Sequence, residues 1–564
     1  MSTADKLLYL QDTKSAIKDA IVSKGVTVPT GTAFRDYATK IGEITSGGGG
    51  SSGSETAEPW VRPTEWLALP DNVDGVQKVS ILNAVFDTDS EFVSFSCQGN
   101  YTVDWGDGVT ENFATGVKAE HKYDYSDADL NSGTVATFGY KQCIITITPQ
   151  VGQNLTVVSF GTFHSSIGSA TAYDLATGFL DIRVNSLFCA NLIIGASNNP
   201  VKHTMLEQCI IGELADTTLN ELFYDCYLLQ SVSIKDTSNV TSFASMHYNN
   251  YALQKMPTYT FRSAGVNLGN MFTNCRALRE TYILNITVSG SIIGMFDWCR
   301  SLKYINITIN STANYSLGNL FNGCLSLETI NLTQAGTGKV TNLDSTFKYT
   351  RIKESPAIDT SLCTSFNNAF QYCDRLTDLY EYDYTSATSL ANMLDGCYSL
   401  KSVPNFNITA NCTSLASLCS NCWSLEKAPT FSDSSGVTNA NSMLLGCKSL
   451  TTIPSYVFGT LSASGLTAFV NLCDSLQIMP NITVGSGYTN NTNILNGNYS
   501  LKRMLMPLRF TFSVVSAKMS ASALNEMFSI LPTVTGQTVT VTGNYGAATC
   551  DPTIATNKGW TVVQ

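Results

Sequence analysis

From about residue 222 onward the chain repeats one apolar phrase. Two apolar residues are followed three positions later by Cys, three later by Leu, and three later by a further apolar residue. The phrase reads Met271-Phe272, Cys275, Leu278, then Met295-Phe296, Cys299, Leu302, Ile305, then Leu320-Phe321, Cys324, Leu327, Ile330. Later copies are Met393-Leu394, Cys397, Leu400, Val403 and Met443-Leu444, Cys447, Leu450, Ile453. A fixed period of 23 to 26 residues marks a solenoid. The spacing predicts a short helical turn from the apolar pair to Cys in each coil, then a strand over Leu-x-x-apolar. Pro257, Pro404, Pro429, Pro454 and Pro480 are placed to end several of those strands. A solenoid presents a long surface rather than a cleft, so the pattern asks for a partner before it asks for a reaction.

One slot of the phrase holds nine cysteines: Cys226, Cys275, Cys299, Cys324, Cys373, Cys397, Cys422, Cys447 and Cys473. Free Cys behaves as a small buried hydrophobe, and these are expected to form a reduced ladder between coils. Asn250 and Asn498 take the slot in an early and in the last copy. An end coil is less covered, which would accommodate a small polar residue there. The copy near Phe347 is degenerate, with Ile352 standing for the Leu.

The pattern differs before the array. Leu7, Leu8, Leu10, Ala16, Ile17, Ala20 and Ile21 recur at helical spacing until Gly25, and a second short helix is predicted over Phe34, Tyr37, Ala38 and Ile41. Residues 1–45 are too few to bury a stable core alone. They are expected to oligomerise or to dock through Leu10, Ile17, Ile21, Phe34 and Tyr37. Residues 46–59 read as a Gly/Ser linker. Residues 60–150 read as all-β, with Phe92-Val93-Ser94-Phe95 and Tyr101-Thr102-Val103 leading into the hairpin signal Trp105-Gly106-Asp107-Gly108. Residues 151–221 match the repeat poorly and are expected to cap the array, which then runs over 222–504. Residues 505–564 are read as its C-terminal cap.

Composition narrows the function. The chain has 564 residues, too many for one core, and only 14% are charged. A formal charge of −11 argues against nucleic acid, which calls for a basic stripe. No run of 18 apolar residues is present, so no membrane insertion is expected. Met1-Ser2-Thr3-Ala4-Asp5-Lys6 has no basic region followed by an apolar core, so synthesis in a cytoplasm without a signal peptide is expected.

Candidate chemistry is sparse. Cys419 and Cys422 form a C-x-x-C, but zinc would want a second pair or matching histidines, and the register assigns both to packing slots. The four histidines, His121, His164, His203 and His247, fit no metal or catalytic spacing. A G-x-S-x-G at Gly49 to Gly53 lies inside the linker, where no oxyanion hole can be held. Asp104, Asp107, Asp124, Asp127 and Asp129 suggest either a Ca²⁺ site or, in preference, turn-stabilising hydrogen bonds. No catalytic residue, metal or cofactor is expected. Tyr248, Tyr251, Tyr282, Tyr349, Tyr372, Tyr380, Tyr382 and Tyr384 are candidate aromatic platforms for glycan or protein.

Three resemblances give these readings a context. The phrase Met-Phe-x-x-Cys-x-x-Leu-x-x-Ile resembles BspA-like leucine-rich repeats, over about half of the chain. The tetrad Trp105 to Gly108, with Lys122-Tyr123 on a later strand, resembles a PKD-like immunoglobulin-type sandwich. The segments Asp12 to Ile21 and Phe34 to Gly42 resemble an N-terminal stretch of bacteriophage tail and appendage proteins. Together they imply a multidomain chain: a helical virion anchor, a sandwich spacer, and an α/β leucine-rich-repeat solenoid with a C-terminal cap. The implied role is a non-enzymatic virion fibre or appendage protein that adheres to the host cell. Its implied partners are other virion proteins, a host surface glycan or protein, and further copies of itself. A bacterial surface adhesin, a purely structural virion protein and a polysaccharide depolymerase are the alternatives.

Overall fold

The computed structural model describes residues 60–87, 92–167, 175–198, 201–288, 290–485 and 493–564. The chain divides at Thr56/Ala57. The helical anchor expected over 1–45, with Leu10, Ile17, Ile21, Phe34 and Tyr37, and the linker expected over 46–59 lie outside the described residues.

The described chain is mostly β with little helix. Seven strands come first: β1 Lys78–Val85, β2 Phe92–Gln98, β3 Tyr101–Asp104, β4 Thr110–Phe113, β5 Lys118–Lys122, β6 Lys141–Pro149 and β7 Val157–Ser159. Six more follow: β8 Leu175–Ala176, β9 Phe179–Ser186, β10 Asn191–Ile193, β11 Val201–Lys202, β12 Gln208–Leu214 and β13 Ser231–Ile234. One sheet has the order β13-β12-β9-β1-β6-β3-β4, and a second has β10-β7-β2-β5. Alternate apolar residues of the two sheets bury into one core: Val79, Ile81, Val103 and Ile145 from the first, Val93 and Phe95 from the second. Trp105 joins the core between them, 5.3 Å from the Phe95 ring.

The larger sheet changes direction. β9 pairs antiparallel with β1, but β12 pairs parallel with β9, and β13 with β12. Residues 151–221, expected as a separate cap, supply β7 to β12 and carry both sheets onward. A solenoid needs something to cover its first open coil. Here that cover is a hydrogen-bonded sheet edge, and the core runs on through Ile211, Leu222 and Phe223 into the array.

Within the array the predicted strands survive only in part. Tyr304–Asn310 and Thr329–Ala335 form seven-residue parallel strands over Ile305 and Ile330. Where Pro404, Pro429 and Pro454 stand, the ladder shrinks to single bridges such as Phe406 to Phe431. Proline has no N–H to donate to the next coil, so each one removes a rung. The array ends in coils with real helices, Ala521–Ile530 and Thr553–Thr556, beside the parallel strands Phe512–Ser513, Gln537–Thr540 and Trp560–Val563. Ser520 caps the first helix through Oγ. Lys558 donates from Nζ to the carbonyls of Phe528 and Leu531 at its C-terminal end.

Candidate interaction surface of the repeat array

The segment from the apolar pair to Cys is not a helical turn, contrary to the spacing-based expectation. Backbone donors alternate between their own coil and the next. Met246 N–H bonds Phe243 O, His247 N–H bonds Met271 O, Tyr248 N–H bonds Ser245 O, and Asn249 N–H bonds Thr273 O. The alternation is made by two left-handed residues per coil, five and one positions before the Cys slot. Asn270 and Asn274, Asn392 and Gly396, and Ser442 and Gly446 all have φ between 53° and 76°. Asn, Gly and Ser recur there because the left-handed region penalises other L-residues least at these types. Trp298, Tyr349, Tyr372 and Leu472 occupy the same position at φ of 59° to 63°.

This geometry buries two ladders. The ring of Phe223 stacks on His247, and the stack continues through Phe272, Phe296, Phe321, Phe347 and Phe370 at 5.1 to 6.1 Å. Beside it run the cysteines, all 17 of the chain being buried and free of disulfides. Cys275, Cys299, Cys324, Cys373, Cys397, Cys422, Cys447 and Cys473 each donate from Sγ to a carbonyl of the preceding coil at 3.0 to 3.2 Å. Cys226 begins the row. The slot therefore selects a donor, not merely a small apolar group. Asn250 shows this: it is fully buried, not at a loosened end, and its amide donates to Phe223 O and Cys226 O. Thr350 fills the degenerate copy with a hydroxyl, which donates to Phe347 O.

The polar candidates are likewise consumed by structure. Asp104, Asp107, Asp124 and Asp127 each accept a backbone N–H two residues on. Asp107 also bonds His121 Nε2 at 2.6 Å, and the His121 ring stacks on Trp105. Gly106 and Gly108 have φ of 78° and 86°, and a Cβ on Gly106 would lie 2.5 Å from Ile144 O. His203 and His247 are fully buried, and burial lowers each imidazole to about 4. The Asn250 amide oxygen can only accept, so His247 Nδ1 carries the proton and Nε2 accepts from the Tyr259 hydroxyl. Cys422 lies in the Cys ladder and Cys419 in the aromatic slot. Among the described residues no cluster of His, Cys, Asp or Glu has a metal-binding arrangement.

Two open grooves indent the described surface. One, of about 290 Å³, is lined by Phe431, Asp433 and Tyr456, and Asp433 caps Ser435 N–H. The other, of about 640 Å³, holds Arg503 bonded to Glu526. Each carries a single carboxylate with its partner already beside it, whereas glycoside hydrolysis uses two that flank the bond.

The exposed aromatics divide into two sets. Tyr382 and Tyr384 are buried, which removes them from the candidate platforms, and Tyr282 packs against the core. Tyr380 lies edge-on to the buried Tyr382, and the rest line one edge of the coils. Tyr224 stacks on Tyr248, Tyr227 on Tyr251, and Tyr349 on Tyr372, at 4.7 to 5.1 Å and within 10° of parallel. Rings stacked along the coil axis cover one another's faces and present edges and hydroxyls outward. Cations close the stacks: Arg276 lies 4.3 Å from Tyr251, Arg300 4.9 Å from Trp298, and Lys448 4.6 Å from Trp423. Sequence reasoning missed these cations. The signal was available, since Arg276, Arg300, Tyr398, Trp423 and Lys448 all follow the Cys slot directly.

Residues 215–312, 314–432 and 364–456 match the family described as "Mycoplasma protein of unknown function, DUF285". The array is a solenoid whose repeats are similar to that family over less than half of the chain. Among solved structures, one similar chain is titled "Crystal structure of TLR13-ssRNA13 complex", at 14% identity and a TM-score of 0.20. The alignment covers 65% of this chain and 57% of that one, so the chain spans little more than half of its length. Another is "Plant peptide hormone receptor RGFR1 in complex with RGF2", at 13% identity and a TM-score of 0.17, covering 64% and 69%. Neither likeness bears on what this array binds. No curated protein matches the chain.

Proposed function

We propose that this chain is a non-catalytic adhesion protein of a bacteriophage particle. Residues 1–45 dock it on the virion, a PKD-like sandwich around Trp105 to Gly108 spaces it, and the repeat array meets the host cell surface. The observation that carries this reading is the exposed edge of the array. Coils in register place Tyr227, Tyr251, Arg276 and Arg300 in one row, and Tyr398, Trp423 and Lys448 continue it beyond Leu325, Arg351 and Asp374. Such a row suits an extended partner, and several copies on one particle turn weak contacts into avidity.

The test is binding of the fluorescently labelled full-length protein to cells of the host bacterium. Saturable binding that is lost on cells stripped of surface polysaccharide supports adhesion to glycan. Absence of binding, even with the protein displayed multivalently on beads, refutes adhesion and leaves a structural role in the particle. Deleting residues 1–45 is expected to abolish incorporation into particles while leaving a folded array by circular dichroism. Particles that still carry the truncated protein would contradict the anchor.

A further inference from the structure

The charge of this acidic chain is unevenly spread. Residues 251–355 hold ten Lys and Arg against five Asp and Glu, while the whole chain carries a formal −11. Of these cations, Lys255 and Lys339 are engaged in ion pairs with Glu280 and Asp359. Among the described residues no ion pair engages Arg276, Arg300, Lys303, Lys348, Arg351 or Lys353. All but Lys348 are exposed.

The coils align the five exposed ones along one edge. Arg276 and Arg300 follow the Cys slot directly, and Arg351 follows Thr350 in the same place. Lys303 and Lys353 follow the Leu slot in their coils, and their carbonyls accept from Glu328 and Thr377 of the next. With coils about 4.8 Å apart, the charges lie parallel to the solenoid axis, interrupted in the coil between Arg300 and Arg351 by Leu325 and by Glu328, which pairs with Arg375. Asp297 accepts from Asn322 Nδ2 at 2.9 Å and, among the described residues, forms no ion pair with these cations. Asp374 takes the position after the Cys slot in the next coil and ends the line.

We infer that this stripe binds a linear polysaccharide bearing uronic acid carboxylates, which deepens and rests on the adhesion reading above. A guanidinium stacked on an aromatic ring keeps its planar N–H edge free for a carboxylate, with less freedom to lose on binding. Arg276 on Tyr251 and Arg300 on Trp298 are held in that way, and Arg276 is fixed further by its Nε–H donated to Asn274 Oδ1, which leaves its terminal N–H groups for a ligand. Single-stranded nucleic acid fits less well. Its binders offer open aromatic faces for base stacking, and the ring faces here are covered by neighbouring rings and cations.

The experiment is titration of the full-length protein with polygalacturonate, neutral dextran and oligo(dT), at low and at near-physiological salt. Polygalacturonate is expected to bind, dextran not, and added salt to weaken binding, because exposed charges are screened. The variant Arg276→Gln/Arg300→Gln/Arg351→Gln should lose about tenfold in affinity, with an unchanged melting temperature. No polygalacturonate binding, binding untouched by the triple variant, or preference for oligo(dT) would each overturn the inference. Cell binding separates the two levels. A variant that still binds host cells while the wild type ignores polygalacturonate defeats the stripe and leaves adhesion standing. Salt-sensitive polygalacturonate binding by a protein that ignores host cells does the reverse.

Discussion

Cys299 donates from Sγ to the carbonyl oxygen of Phe272, 3.2 Å away in the preceding coil. That carbonyl already accepts the Cys275 N–H of its own coil. The thiol, small enough for the gap and still a donor, adds a second hydrogen bond to it from the next coil. Asn250 does the same for Phe223 at 2.7 Å.

Replacing Cys299 by Ala should therefore cost more than the loss of a sulfur atom's packing. It removes one of the two hydrogen bonds to a buried carbonyl, worth about 0.5–1.5 kcal/mol. Cys299→Ser keeps a donor and should cost clearly less. Urea midpoints of the two variants decide the matter, and equal losses would show that the slot selects only for size.

The thiols also set an alkaline limit. Burial pushes Cys373 and Cys473 up to about 12 from 9.0, and Cys299 and Cys397 well above 9.0. Above pH 9 the unfolded chain loses thiol protons that the folded chain retains, so the unfolded state is favoured as pH rises. Stability is complete below pH 9 and falls from there towards 12. Melting temperatures across that window should decline, while a thiol reagent at neutral pH should label the native protein only slowly.

His247 sets an acid limit of opposite sign. Its folded value of about 4 lies below the ordinary 6.5. The unfolded chain takes up this proton first, so the contribution is present above pH 6.5 and is lost as pH falls towards 4. His247→Phe should reduce the fall in melting temperature over that range without abolishing it, because His203, also lowered to about 4, carries the remainder. It should also lower stability at neutral pH, because Asn250 Oδ1 and the Tyr259 hydroxyl lose their partner.

Leu472 occupies a left-handed position at φ 60° and is 48% exposed. Leu472→Asn should stabilise by about 1 kcal/mol, since Asn tolerates that conformation. Gly446→Ala, at φ 72° with Asn421 Oδ1 2.9 Å from the new Cβ, should destabilise. Thermal melts that move both variants the same way would exclude backbone strain as the cause.

The repeat by itself determined that the second half is a solenoid, because only stacked copies bury an apolar phrase of that period. It also placed Cys226 to Cys473 inside, since a slot that recurs coil after coil must face the shared core. The tertiary structure decided how the coil turns. Alternating hydrogen bonds between coils cannot be read from apolar spacing, and the Asn and Gly residues that permit them carry no apolar signal. It decided as well that Tyr384 is buried while Arg276 caps a stack, because both depend on which coil lies next. The junction at β9 was hidden for the same reason: whether a strand pairs parallel or antiparallel is a property of its neighbour, not of its own residues.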